Sequence, residues 1–337
     1  ALALIVACAS GSGCGSAVAE KDGRALQDPG QVEQPFPPRA AEPRAAGTLQ
    51  REPAGRVVRV GGPAEGVVVD PASGRLAVAL QKRAQLVLLD AASGTPIVRV
   101  RLPAAPRHLE LTRPGGRVLV PAEESDTLVA VDVRTGDSAA TRVGDHPHDV
   151  AFVRGRSYTA DEFGSTLTEV VRGRRVRQVP VDAQPGSVLG VGDQVGIVSV
   201  RAYTFELFGT ATLRGGGSQS AGFGPTHAVA DADGRVYITD TRGDALTVFA
   251  TRPRLKWLSR VALRGSPYGI ALDERRGRLW VTLSARNELV QLSLGERPRR
   301  QRTLATIRQP NSVAVDPRTG RVIVPSAADD AVQLIDP

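Results

Sequence analysis

One stretch decides the fold of this chain: Pro310-Asn311-Ser312-Val313-Ala314-Val315-Asp316-Pro317-Arg318-Thr319-Gly320-Arg321-Val322-Ile323-Val324. It contains an apolar run, a turn built from Asp, Pro and Gly, and a second apolar run, which predicts two short β-strands joined by a tight turn. A third apolar run follows a polar loop and reads Ala331-Val332-Gln333-Leu334-Ile335-Asp336. Earlier copies of the phrase begin 38 to 43 residues apart, at Pro63, Pro106, Pro147, Pro185, Pro225 and Pro267. A repeat of this length indicates one recurring supersecondary unit.

The chain contains seven copies of this unit, and each copy has room for four strands. The strands are apolar on both faces, as in Gly66-Val67-Val68-Val69, whereas an isolated antiparallel sheet would have one polar face. We therefore expect each sheet to pack between two others, as the blades of a propeller do. The last copy reaches Pro337 after its third strand, and Arg56-Val57-Val58-Arg59-Val60 would supply the fourth. The prediction is an all-β fold, a seven-bladed β-propeller over residues 56–337 that is closed by an N-terminal strand in the last blade.

The repeats resemble the YVTN family of bacterial β-propellers, which includes YncE-like proteins. The matching stretches are Tyr158-Thr159-Ala160-Asp161, Tyr237-Ile238-Thr239-Asp240 and Val129-Ala130-Val131-Asp132. The usual Asn of the family's namesake tetrapeptide is replaced here by Asp161 and Asp240. The resemblance implies a propeller fold over residues 56–337. It implies little about function, because propellers include binding modules, scaffolds and enzymes.

The N-terminal residues resemble the end of a bacterial signal peptide. The apolar run over residues 1–7 is too short to span a bilayer. Ile5-Val6-Ala7-Cys8 resembles a lipobox, which would make Cys8 the site of lipidation; Cys14 is a weaker candidate, and an ordinary secretory signal is the alternative. We interpret residues 1–14 as a signal-peptide remnant and residues 15–55 as a flexible linker. The expected location is the cell envelope, outside the cytoplasm, with a lipid anchor in the membrane.

The basic charge of the chain does not indicate a nucleic-acid partner. The formal net charge is +8, and only three of the 43 basic residues are lysines. The arginines are spread over every repeat, whereas a nucleic-acid surface would concentrate them on one face. Nucleic acid is therefore an unlikely partner, and we expect a monomer.

Candidate site residues follow from the phase of the repeat. In a propeller the loop before the innermost strand and the loop between the second and third strands surround one mouth of the central channel. All four histidines lie at or beside these positions: His108, His146, His148 and His227. The candidate ligand-binding residues are Glu65, Arg107, His108, His148, Asp149, Asp161, His227, Asp240, Tyr268 and Asn311. The alternative is that these polar side chains only hydrogen-bond backbone groups where each blade begins.

Two classes of function are compatible with such a site. The favoured one is a binding or scaffolding module for an envelope protein, a peptide or a glycan at the channel mouth, because no G-x-S-x-G or phosphate-binding motif supports catalysis. The alternative is a metal-assisted enzyme, since lactonase and streptogramin lyase-like propellers have similar repeats. The catalytic candidates are then His148 with Asp161 and His227 with Asp240, and the implied cofactor is a divalent metal. No H-x-x-x-H motif assigns metal ligands from the sequence.

Overall fold

The computed structural model of the chain describes residues 25–26 and 39–336. Within these ranges the chain consists mainly of β-strands, with single 3-10 turns at Gln81–Arg83, Glu123–Ser125, Glu274–Arg276 and Ser284–Arg286. None of the helices in the described ranges is long and apolar enough to cross a membrane. Cys8 and Cys14 lie outside the described residues, so lipidation remains a prediction.

Two short strands precede the repeats, β1 (Ala25–Leu26) and β2 (Arg56–Val58). Blade 1 contains β3 (Ala64–Asp70), β4 (Arg75–Leu80), β5 (Gln85–Asp90) and β6 (Pro96–Arg101). Blade 2 contains β7 (Glu110–Leu111), β8 (Arg117–Ala122), β9 (Thr127–Asp132) and β10 (Ser138–Arg142). Blade 3 contains β11 (Pro147–Val153), β12 (Arg156–Asp161), β13 (Thr166–Val171) and β14 (Arg174–Pro180). Blade 4 contains β15 (Pro185–Val191), β16 (Gln194–Ser199), β17 (Thr204–Gly209) and β18 (Gly215–Ser220).

The remaining blades have the same organisation. Blade 5 contains β19 (Pro225–Ala230), β20 (Arg235–Asp240), β21 (Ala245–Ala250) and β22 (Lys256–Ala262), with β1 paired to β22 at its outer edge. Blade 6 contains β23 (Pro267–Asp273), β24 (Arg278–Leu283), β25 (Glu288–Ser293) and β26 (Arg300–Ala305). Blade 7 contains β27 (Ala314–Val315), β28 (Val322–Pro325) and β29 (Val332–Ile335), completed by β2. The predicted all-β, seven-bladed propeller is confirmed.

Ring closure follows the predicted pairing of the N-terminal strand with the last repeat. β2 runs antiparallel to β29, with Arg56 opposite Leu334 and Val58 opposite Val332. The sheet order is β2-β29-β28-β27, so β2 is the outermost strand of blade 7. Blades 1 and 7 then share one apolar cluster, which includes Leu76 from β4 and Val332 from β29. A closed ring covers the sheet faces that an open array would expose.

Tight turns set the length of each blade. In blade 7 the Asp316 carboxylate accepts the Arg318 N–H at 2.9 Å and the Thr319 hydroxyl at 2.8 Å. Gly320 adopts a φ of +81°, a left-handed conformation that a side chain would strain. Asp70 and Asp90 make the equivalent contacts in blade 1. The Asp-to-Gly turns that the sequence predicts are therefore the turns that reverse these strands.

The segment before β2 makes defined contacts where a flexible linker was expected. Residues 39–55, called the strap below, run across one face of the ring. The Arg39 N–H donates to the Tyr203 hydroxyl of blade 4 at 3.1 Å, and Ala54 N–H donates to the Ala305 carbonyl of blade 6 at 3.0 Å. Ala41 is only 5% exposed. The strap is rich in alanine and charged residues, and its contacts are mainly hydrogen bonds, so no apolar period in the sequence signals them.

Candidate functional site

The central channel is lined by the innermost strands of the blades and encloses a cavity of about 370 Å³. Side chains at the start of each repeat gather at one mouth of this channel. A smaller cavity of about 20 Å³ at that mouth is bounded by His148, Glu162, His227, Tyr268 and residues 40–42 of the strap. The mouth is therefore a polar chamber with the strap as its outer wall.

Three of the four histidines are in contact at the mouth. The rings of His108 and His148 are 4.9 Å apart between centroids, and those of His108 and His227 are 4.7 Å apart. His227 Nδ1 lies 3.2 Å from the Tyr268 carbonyl, and its Nε2 lies 3.3 Å from His108 Nε2. The carbonyl can only accept, so we assign the proton of His227 to Nδ1, and His108 then donates from Nε2. Tyr268 packs edge-on against His227 at 4.4 Å.

Two glutamates fix the third histidine. His148 Nδ1 lies 2.9 Å from Glu123 Oε1 and 3.1 Å from Glu162 Oε2. Glu162 also accepts from the Gln184 amide at 2.7 Å, which holds its other oxygen toward His148. Arg107 Nε lies 3.3 Å from Glu123 Oε1. Blade 2 thus contributes two charged groups to the surroundings of a single imidazole, and blades 3 and 4 contribute one charged or polar group each.

These contacts separate the protonation states of the three imidazoles. Burial lowers the pKa of His148, but the short contacts of its ring with the Glu123 and Glu162 carboxylates outweigh it and raise the pKa to about 10. Burial raises the pKa of Glu162, and His148 reverses this and lowers it to about 2. Burial and neighbouring cations hold the pKa values of His108 and His227 well below their ordinary range. At neutral pH the mouth therefore holds one imidazolium beside two neutral imidazoles.

Three buried polar atoms at the mouth lie close to one another: Arg107 Nε, Glu123 Oε1 and His148 Nδ1. None of them makes a well-directed hydrogen bond to any residue that the structure describes. Glu123, His148 and Glu162 each offer one ligand atom, and these atoms lie within 4.8 Å of one another. The donor set, one imidazole nitrogen and two carboxylate oxygens, fits a divalent cation.

Several other predicted site residues border the same chamber. Glu65 is 8% exposed, and burial raises its pKa against the opposing effect of Arg107. Arg107, Asn311 and Glu65 line a shallow cavity next to Glu42 of the strap. Asp149 lies deeper in the channel wall, where it accepts the Ser187 hydroxyl at 3.0 Å and the Val188 N–H at 3.0 Å. Asp149 therefore links two blades and does not contact the His148 imidazole through any hydrogen bond described.

The predicted pairing of His148 with Asp161 and of His227 with Asp240 is not observed. Both aspartates are fully buried inside their blades. Asp161 accepts three hydroxyl hydrogen bonds of 2.6 to 2.8 Å, from Thr159, Thr166 and Thr168. Asp240 accepts from Arg260 at 2.8 Å and from the Phe223 N–H at 2.9 Å. These carboxylates hold strands and loops together and are not available as catalytic groups at the mouth.

The carboxylates that do face His148 are Glu123 and Glu162, which the phase of the repeat places in the loops at the mouth but which are not in the predicted pairs. Each is the first residue after the second strand of its blade, β8 or β12. Glu162 directly follows Asp161, and consecutive side chains of an extended chain point in opposite directions. An acidic residue at this equivalent position in two neighbouring blades was the available signal. The fourth histidine, His146, stacks on Phe163 at 4.3 Å and lies outside the cluster.

Comparisons with known proteins show similarity in fold and do not identify the site. No protein-family model matches the sequence, and no curated protein matches it. Hydrazine synthase of Kuenenia stuttgartiensis has a TM-score of 0.73 at 16% identity, covering 83% of this chain and 97% of that chain. A streptogramin B lyase has a TM-score of 0.70 at 11% identity, covering 84% and 98%. U3-55K has a TM-score of 0.74 at 9% identity, covering 85% and 100%. At these identities the likeness establishes a shared propeller fold alone.

Proposed function

We propose that the protein is an extracytoplasmic, membrane-tethered β-propeller that binds an extended peptide across the mouth of its channel. The observation that carries this proposal is the strap, a peptide segment that the mouth face already holds. The expected lipid anchor at Cys8 supports the envelope location, since it would place the propeller at a membrane surface through residues 9–38.

The ring recognises the strap mainly through its backbone. The Tyr203 hydroxyl donates to the Arg39 carbonyl at 3.0 Å, and the Arg242 guanidinium donates to the Ala40 carbonyl at 2.8 Å. Ser266 accepts the Arg44 N–H at 3.0 Å, and the Gln309 side chain accepts the Ala46 N–H at 2.7 Å. Backbone recognition does not depend on the side chains of the bound segment, so another extended peptide could make the same contacts.

Two positions of the strap indicate which side chains the surface accepts. Ala41 is buried next to Gly224, where an added Cβ would approach the Ala41 methyl to 2.9 Å. This space admits a small residue only. The next residue, Glu42, borders the same cavity as Arg107 and Asn311. A small residue followed by an acidic one is therefore the preferred pair in a ligand, because Arg107 attracts a carboxylate there.

A peptide-binding assay tests the proposal. A chain that begins at residue 48 keeps β2 and all seven blades and leaves the mouth face uncovered. A fluorescent peptide with the sequence of residues 38–48 should bind it saturably, and Arg242→Ala should weaken binding about 10-fold or more, because hydrogen bonds from charged donors contribute about 1.5–3 kcal/mol. The intact chain, whose own strap covers this face, is the control. Binding that Arg242→Ala leaves unchanged, or no binding of the native peptide, would refute the proposal.

A metal-assisted enzyme of the lactonase or lyase class is the second candidate, favoured by the histidine cluster itself. Neutral His108 and His227 lie beside His148 and its two glutamates, so a general base is within a few ångströms of groups that could hold a metal. Turnover of a lactone panel should then fall at least about 100-fold in His227→Ala. Absence of any turnover that depends on His108 or His227 would remove this candidate.

A further inference from the structure

We propose that Glu123, His148 and Glu162 form a binding site for one first-row transition-metal dication, such as Zn²⁺, at the channel mouth. The inference gives the second candidate function its metal site, and it does not depend on peptide binding.

The geometry suits a small ion. In tetrahedral zinc sites with bonds of about 2.0–2.1 Å, neighbouring ligand atoms are about 3.3 Å apart. His148 Nδ1 lies 2.9 Å from Glu123 Oε1 and 3.1 Å from Glu162 Oε2. Small side-chain rotations would bring these three atoms to three corners of one coordination tetrahedron. A fourth position would face the cavity of about 20 Å³, which is large enough for one water molecule.

The contacts of these groups are incomplete without an ion. A proton on His148 Nδ1 can point at only one of the two carboxylates, so one short N–O contact is left without a hydrogen bond. Glu123 is 7% exposed, and its Oε1 has no well-directed donor within the described chain, although His148 and Arg107 are both near. A dication that replaces this proton would bind His148 Nδ1, Glu123 Oε1 and Glu162 Oε2 together.

The donor set selects the class of metal. One imidazole and two carboxylates suit zinc and its neighbours in the first transition row, whereas Ca²⁺ prefers six to eight oxygen ligands. Gln184 hydrogen-bonds the other oxygen of Glu162 at 2.7 Å and so fixes the orientation of that ligand. His108 and His227 are not ligands, because their Nε2 atoms face each other at 3.3 Å.

Metal titration of the intact, tag-free chain after chelator treatment tests the site. We expect calorimetry to give one Zn²⁺ per chain. One Co²⁺ should also bind per chain, with a visible absorption band that indicates four- or five-coordinate cobalt. Glu162→Gln, which keeps the shape of the side chain, should weaken binding at least about 10-fold, and His148→Ala should abolish it. His146→Ala is the matched control, because that histidine lies outside the cluster, and it should bind like the wild type. Circular dichroism confirms that each variant is folded.

Two outcomes would overturn the inference: no stoichiometric Zn²⁺ or Co²⁺ binding, or binding that Glu162→Gln and His148→Ala leave unchanged. The lactone panel is measured on the same preparations. Metal binding without turnover would leave the site intact and remove the enzyme. Turnover without metal binding would remove the site and leave a metal-independent enzyme.

Discussion

Replacing Asp240 should destabilise the ring. The Asp240 carboxylate is fully buried and accepts from Arg260 Nη2 at 2.8 Å and Nε at 3.1 Å. Its other oxygen accepts the N–H groups of Phe223 at 2.9 Å and Gly243 at 3.2 Å. The Arg260 side chain is only 7% exposed. Asp240→Ala would therefore leave a buried guanidinium without its counter-ion, which costs about 3–5 kcal/mol.

Urea unfolding at pH 8, followed by circular dichroism, measures this loss. Burial raises the pKa of Asp240 and Arg260 lowers it, so the higher pH favours the ionised pair. Asp240→Ala combined with Arg260→Met should recover at least about 1 kcal/mol, because no buried charge remains. The matched control is Asp336→Ala, an exposed partner of Arg321, with an expected loss below about 1 kcal/mol. A loss below 1 kcal/mol in Asp240→Ala, or no recovery in the double variant, would refute the assigned structural role.

Three other predictions concern the channel, the ring closure and the strap. Burial and Asp149 raise the pKa of Glu110 to about 8, so the free energy of unfolding should fall as the pH rises from about 4.5 to 8. Glu110→Gln should make the free energy of unfolding less dependent on pH over this range. At pH 7 it should raise that free energy, measured by guanidinium unfolding, by about 2 kcal/mol, a value reduced because Glu110 faces the open channel. Proline at both Val57 and Val58 should lower stability by about 1–3 kcal/mol, because one of the two lost N–H groups faces β29, and an unchanged melting temperature would contradict closure by β2. Gln309→Ala should speed tryptic cleavage after Arg44 several-fold, read by mass spectrometry, and equal cleavage rates would mean that this contact does not hold the strap.

The fold could be predicted because its signals are local and repeat. Each Asp-to-Gly turn and each doubly apolar strand can be identified within one unit, and the spacing of the prolines then gives the number of blades. Pairing of β2 with β29 was also predictable, since the last repeat lacks one strand and the stretch before the first repeat supplies it. No long-range information beyond the order of the repeats was required.

The site was predicted in part, and the errors have a physical cause. The phase of the repeat places His108, His148 and His227 at the mouth, where the structure has them. The phase of the repeat does not predict which way a side chain points at the end of a strand, because a shift of one residue reverses the direction. Asp161 points into the blade toward three threonines, whereas the next residue, Glu162, points toward His148. The strap was missed because its contacts are hydrogen bonds to distant loops, such as that between Ala46 and Gln309.

The strap and the proposed metal site share one chamber, so the two proposals are thermodynamically linked. Residues 40–42 bound the same cavity as His148 and Glu162. If a bound ion changes the affinity of this face for a peptide by some factor, the peptide must change the affinity for the ion by the same factor. The chain that begins at residue 48 lacks residues 39–47 of the strap but keeps every proposed ligand of the ion. Comparing its Zn²⁺ affinity with that of the intact chain therefore measures the coupling directly, and the peptide assay with and without Zn²⁺ must return the same value.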